Sequence, residues 1–183
     1  CSDFCIELGI NVPTGKDSMS MKQKYKTGEV LSPGTVIISA TAEVSDVSKC
    51  VEPFFKKFNS NIYYIDMSSC VLNLGGSALM QSNNKIGNKS NDILNAKYFK
   101  KVFNVIQKLI TDEKIYSGHD VSSGGLITTI LEMSFVSSGI GLELFLNEFD
   151  ENDLIKILFA ENHALVIEAE KTIESHFIDN NIK

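Results

Sequence analysis

The chain has 183 residues, 43% of them hydrophobic and 22% charged, with a mean hydropathy of +0.02; this excludes a disordered, collagen-like or coiled-coil chain and fits one folded domain, or one domain with part of a neighbour. Seventeen Lys+Arg against 23 Asp+Glu give a net charge of −6 with no dense basic tract, which removes the electrostatic footprint of a nucleic-acid binder. No apolar run approaches the ~18 to 20 residues of a membrane span and no signal-peptide pattern opens the chain, so a cytoplasmic protein without a membrane partner is expected.

At the start, Phe4, Cys5 and Leu8 fall on one helical face, and Gly9, Asn11 and Pro13 close the segment, which reads as the last helix of a preceding domain. With no initiator Met before it, the chain is expected to be a piece of a longer one. Met19 to Tyr25 is extended in character, Lys26-Thr27-Gly28-Glu29 signals a turn, and Ser32-Pro33-Gly34 marks a boundary. Thr35–Val44 (TVIISATAEV) is rich in β-branched residues and predicts a largely buried strand, and Asn61–Met67 (NIYYIDM) predicts a second. The asparagine-rich stretch 81–95 reads as an exposed loop. Phe99, Val102, Phe103, Ile106 and Ile110 recur at helical spacing with Lys100, Lys101, Gln107 and Lys108 turned away, which predicts an amphipathic helix over 95–110. A strand over Ile115–Asp120, a helix over Gly125–Val136, a strand over Gly141–Leu146, a helix over Asp153–Phe159 and a strand over Ala164–Ala169 follow. This interleaving predicts a layered α/β or α+β domain with helices covering a mixed sheet. Cys1, Cys5, Cys50 and Cys70 form no C-x-x-C pair and are too few to staple such a chain, so reduced thiols are expected.

Three glycine-bearing segments could carry chemistry. In His119-Asp120-Val121-Ser122-Ser123-Gly124-Gly125-Leu126 a strand ends in an acid and a Gly-Gly pair opens a helix. The free N–H groups and the positive dipole end of such a helix suit a phosphate. Asp120 could hold a Mg²⁺ bridging phosphate oxygens, and Ser122 could donate or cap. Equally, Asp120 and Ser122 could simply cap the helix, with the glycines there for close packing. In Pro13-Thr14-Gly15-Lys16-Asp17-Ser18-Met19-Ser20-Met21 a cation, an acid and hydroxyls cluster as a phosphorylated substrate would need. The spacing is not that of a P-loop, because position 10 is Ile, and a polar interdomain connection is the alternative. Leu74-Gly75-Gly76-Ser77-Ala78-Leu79 is a third turn into a helix, open to phosphate or to packing. Among the histidines, His163 precedes a strand, His176 sits in a polar tail, and His119 alone lies beside a candidate site. No G-x-S-x-G elbow, H-E-x-x-H motif or Cys/His nucleophile pattern is present, which removes hydrolase and zinc readings.

Taken in order, P-T-G-K-D-S-M-S-M at 13–21, S-P-G-T-V-I-I-S-A at 32–40, L-G-G-S-A-L at 74–79, H-D-V-S-S-G-G-L at 119–126 and L-F-A-E-N at 158–162 resemble the large, single-chain phosphoribosylformylglycinamidine synthase family of purine biosynthesis. The first string is specific to that family. The H-D-x-S-x-G-G string is shared with the wider superfamily of aminoimidazole ribonucleotide synthetase and selenophosphate synthetase.

The resemblance covers nearly the whole chain and implies a glutamine- and ATP-dependent carbon–nitrogen ligase. That family pairs two tandem copies of an ATP-binding domain and a C-terminal-type domain with a glutaminase domain. Residues 1–30 would be the tail of the second ATP-binding domain with the GKDSMSM loop. Residues 31–183 would be the C-terminal-type domain, a layered α/β/α domain with a mixed sheet. The resemblance further implies Mg²⁺ and ATP/ADP as cofactors, ATP and a phosphoribosyl substrate as ligands, and the missing domains of the same chain as partners. Asp120 would be a Mg²⁺ ligand and Ser122 a nucleotide contact. Gly124 and Gly125 would face phosphate, and Gly15, Lys16, Asp17 and Ser18 would line the site. No catalytic residue is assigned. The sequence departs from the family pattern at Ser123, where Asp is frequent, and at Asn162-His163, where an acid and later a glycine are usual; Glu161 is retained, as a site acid or as a cap. On this reading the isolated chain is inactive and prone to self-association. The alternatives are a structural Mg-nucleotide-binding and packing module without turnover, another superfamily member such as aminoimidazole ribonucleotide synthetase, or a nucleotide-independent interaction domain.

Overall fold

The computed structural model describes residues 1–16, 21–56, 59–137, 139 and 141–182, in two compact units, Cys1–Val47 and Ser48–Lys183. The first unit begins with helix α1 (Ser2–Leu8), which Gly9 ends in the left-handed conformation at φ 76°, its N–H turned back to the Ile6 carbonyl. Strands β1 (Lys22–Tyr25) and β2 (Gly28–Leu31) form an antiparallel hairpin with Tyr25 opposite Gly28, so the predicted turn narrows to Lys26-Thr27. The predicted strand over Thr35–Val44 is absent: its residues follow irregular, exposed backbone. β-branched residues favour a strand only where a neighbouring ladder and a covered face exist, and no described strand pairs with this segment.

The second unit holds a three-stranded sheet in the order β3 (Asn61–Asp66), β5 (Ala164–Ala169), β4 (Ile115–Asp120). Both ladders are antiparallel, with Tyr64 opposite Val166 and His119 opposite Val166. A single parallel bridge, Glu52 to Ser117, adds the parallel component on the outer edge of β4. The central strand alternates between two cores, as the two-residue period of a strand dictates. Leu165, Ile167 and Ala169 belong with Val102, Ile106 and Leu109 of α3 (Ala96–Thr111) and with Phe177 of α6 (Glu174–Asp179). Ala164 and Val166 belong with Leu126, Ile130 and Met133 of α4 (Gly125–Phe135) and with Ile157 of α5 (Leu154–Phe159). The unit is therefore the layered α/β/α arrangement expected from the sequence.

Caps explain where these helices begin. The Asn95 side chain accepts from the Tyr98 N–H at the start of α3, and Asp153 accepts from Ile155 and Lys156 at the start of α5. The predicted strand over Gly141–Leu146 is not formed. Leu142, Leu144 and Leu146 do turn inward against the α4–α5 core, which produced the alternating pattern, but the backbone enters no ladder there. The polar tail around His176 is in fact α6, a six-residue helix anchored by Phe177, 6% exposed. Among the described residues no helix is long and apolar enough to cross a membrane.

Candidate functional site

Strand β4 delivers His119 and Asp120 to the edge of the α4 layer, and four residues later the chain enters α4 through Gly124 at φ 91° and Gly125 at φ 74°. Both glycines are sterically required. A Cβ on Gly125 would stand 2.7 Å from the Leu158 carbonyl oxygen and the Phe159 backbone, and one on Gly124 would collide with Thr128. The positive φ values add a second reason, since side-chain-bearing residues seldom adopt them. The start of α4 is thus pressed against the end of α5.

Asp120 points outward, its side chain 71% exposed, with Oδ1 3.4 Å from His119 Nδ1. His119 is more enclosed, at 21%, and its Nε2 lies 3.6 Å from Glu132 Oε2. The backbone oxygen of Asp120 receives the Thr129 hydroxyl at 3.3 Å and faces His119 Nδ1 at 2.8 Å, so the turn is pinned by its carbonyl while the carboxylate stays available. Ser122 and Ser123 are exposed, and the Ser122 carbonyl accepts from the Gly125 N–H at 3.0 Å. The Gly124 N–H donates to Glu161 Oε1 at 2.8 Å. The two glycine amides nearest an incoming anion therefore have acceptors within the chain, and one of these acceptors is a carboxylate.

Glu161 Oε1 also accepts from the Ala78 N–H, again at 2.8 Å. Ala78 opens α2 (Ala78–Ser82), whose cap Ser77 accepts from Met80 and donates to the Leu74 carbonyl. The third glycine segment is thereby brought to the same carboxylate as the His119–Leu126 segment. Within that turn Gly75 is packed against backbone, because a Cβ there would stand 2.3 Å from the Lys89 carbonyl oxygen. Asn162, 1% exposed, donates to the Cys70 carbonyl at 3.2 Å and to Ser68 Oγ at 3.4 Å, while its Oδ1 has no hydrogen-bond partner among the described residues. Sequence reasoning held Glu161 open between a site acid and a cap; the structure shows its carboxylate accepting from the amides at the starts of two helices, 37 and 83 residues away along the chain. Only the L-F-A-E-N string signalled it.

Gly15 and Lys16 lie in the first unit on irregular, exposed backbone, and a Cβ on Gly15 would meet nothing within 4 Å. Asp17 and Ser18 lie outside the described residues. No group of three His, Cys, Asp or Glu side chains able to hold a metal occurs among the described residues. A single outward carboxylate such as Asp120 suits Mg²⁺ held jointly with phosphate oxygens and water, and does not suit a cation caged by protein alone.

Residues 1–43 match the family described as the FGAR-AT PurM_N-like domain, and residues 62–176 match the AIR synthase related protein, C-terminal domain. The chain is 40% identical over 175 residues to a probable phosphoribosylformylglycinamidine synthase, chloroplastic/mitochondrial, of Arabidopsis thaliana, covering 93% of this chain and 12% of that protein. It is 37% identical over 190 residues to the phosphoribosylformylglycinamidine synthase of Dictyostelium discoideum, covering 97% of this chain and 14% of that one. The chain thus spans about one-eighth of the length of these relatives. In fold it is similar to the structure of PurLQS from Thermotoga maritima, with a TM-score of 0.59 at 11% identity over 97% of this chain and 28% of that one.

Proposed function

The chain belongs to the AIR synthase related C-terminal domain family, and we propose on that premise that it is one domain of a phosphoribosylformylglycinamidine synthase, an ATP- and glutamine-dependent ligase of purine biosynthesis. The observation that carries this reading is the similarity at 37 to 40% identity along more than nine-tenths of the chain to proteins bearing that name. The whole enzyme converts the amide of formylglycinamide ribonucleotide to an amidine with ATP and ammonia drawn from glutamine. The rest of the preceding ATP-binding domain, whose family this chain matches over residues 1–43, and a glutaminase domain supply the remaining machinery. The Arabidopsis relative carries an organellar name; the cytoplasm is the compartment proposed for this protein.

Within that enzyme the chain's role is to bind and orient a nucleotide. Asp120, exposed at the end of β4, would hold Mg²⁺ against phosphate oxygens, and the ion when bound offsets their charge. Ser122, exposed in the turn after Asp120, faces the same ligand, while the Gly124 and Gly125 N–H groups, bonded to Glu161 and to the Ser122 carbonyl, shape that turn. In the first unit, Gly15-Lys16-Asp17-Ser18 is proposed to contact a phosphorylated ligand through the lysine cation. No residue here is assigned to bond making. Exposed apolar residues such as Val36, Ile37 and Ile38, at 73%, 87% and 54%, make the isolated chain prone to self-association.

The reading is tested by grafting residues 1–183 in place of the aligned segment of the Dictyostelium synthase and assaying glutamine- and ATP-dependent amidine formation. Retained activity in the graft, together with none from the 183 residues alone, is expected. A folded but inactive graft, or turnover by the chain alone, would contradict the assignment.

A further inference from the structure

Four residues, Ala160 to His163, connect the end of α5 to β5, and the side chains of Glu161 and Asn162 are bonded to two other connections, β3–α2 and β4–α4. Glu161 Oε1 takes the Gly124 N–H and the Ala78 N–H, both at 2.8 Å. Asn162 takes up the Cys70 carbonyl and Ser68 Oγ through its amide. Both amides held by Glu161 stand at helix starts, where the dipole is positive and a carboxylate makes charge-assisted hydrogen bonds stronger than neutral ones. The same stretch of chain also supplies the steric stop, since Leu158 and Phe159 leave no room for a Cβ at position 125. Position and acceptor thus reach the α4 entry from one segment, while the outward residues of that entry, Asp120 and Ser122, are exposed.

We propose that Glu161 is a positioning residue: its carboxylate holds the turn that presents Asp120 and Ser122, and it joins the Leu74–Ala78 turn to that turn as a second support of the same nucleotide site. This rests on the nucleotide reading given above. Glu161 acts through the two amides and does not touch the ligand. Removing it frees both loop anchors together, although they are 46 residues apart in sequence, as the separations of 37 and 83 from Glu161 require.

The test uses the intact protein and three variants, Glu161→Ala, Glu161→Gln and Asp120→Asn, with amide hydrogen exchange of the 74–80 and 120–126 segments and calorimetric titration with Mg·ADP. In E161A exchange should quicken at Ala78 and Gly124 while Val166 stays protected, and Mg·ADP affinity should fall by about tenfold. E161Q keeps the acceptor oxygen and should recover most of both properties. Should E161A not fold, Glu161→Asp, one carbon shorter with its charge kept, carries the same comparison. Unchanged exchange at either amide overturns the proposal, as does faster exchange with unchanged affinity while D120N still weakens binding. If neither D120N nor the Glu161 variants alter affinity, the nucleotide reading itself fails and the proposal falls with it.

Discussion

In the second unit the run Ala164–Ala169 is the middle strand of a sheet, with Val166 and Ile167 at 0% and 2% exposure, whereas in the first unit Thr35–Val44, richer in β-branched residues, carries Val36 and Ile37 at 73% and 87%. The difference lies in what surrounds each run. β5 has a strand on either side and a helical layer on each face, so every second residue has a core to enter and every backbone group a partner. None of the described residues of 1–47 is buried. A β-branched sequence therefore supplies the material of a strand, and neighbours decide whether a strand is made.

The largest expected contrast comes from truncating apolar residues in the two units. Met133→Ala, at a fully buried site, should cost about 2 to 5 kcal/mol, whereas Ile37→Ala should stay within about 0.5 kcal/mol. Urea denaturation followed by circular dichroism measures both, and equal costs would break the comparison. The glycines sharpen it at a second level. Gly125→Ala meets backbone at 2.7 Å from a positive φ and should cost roughly 2 to 3 kcal/mol, while Gly15→Ala, with open space around it, should shift stability by less than about 0.5 kcal/mol. A tolerated Gly125→Ala would mean that α4 and α5 can part more easily than their contact implies.

The smallest contrast is in ion pairs. Hydrogen bonds from the Asp153 N–H, then the Lys156 ammonium, hold the Glu151 carboxyl below the usual carboxylate range. A depressed value stabilises the folded form above the ordinary glutamate pKa of 4.5, and that contribution is lost as pH falls through the lower, folded value. Acidification below that point should loosen residues 151–156 first, seen as faster amide exchange at the start of α5, and Glu151→Gln should abolish the pH dependence. Breaking the exposed Lys22–Glu29 pair of the hairpin, 3.7 Å apart, by Lys22→Ala should change stability by less than about 1 kcal/mol; a larger loss in urea denaturation would contradict the contrast.

The elements legible in the sequence are those whose period is set by burial on a defined face. Phe99, Val102, Phe103, Ile106 and Ile110 drew α3, although Leu109 takes the buried place and Phe103 is 49% exposed; Asn95 and Asp153 marked helix starts, and the apolar runs of β3 and β5 were read as strands, which the structure covers on both faces. The run 141–146 shows the limit, since its leucines turn inward and alternate with the outward Glu143 and Phe145 without a ladder, and burial alone mimics strand periodicity. Helix α6 was hidden by its length of six residues, too short for a helical repeat to declare itself. In the candidate site, the strand end at Asp120 and the glycine entry to α4 were legible from local chemistry. That Glu161 already holds the Gly124 amide, and reaches Ala78 as well, was not, because those partners are brought together by packing across 37 and 83 residues.

The most direct test of the account is calorimetric titration of Mg·ADP into the intact protein, wild type against Asp120→Asn, with circular dichroism to verify the fold. The account predicts Mg-dependent binding by the wild type that is lost in D120N at unchanged fold. Equal affinity in the two proteins would contradict it, leaving the Asp120 turn as a helix entry held by Glu161 and nothing more.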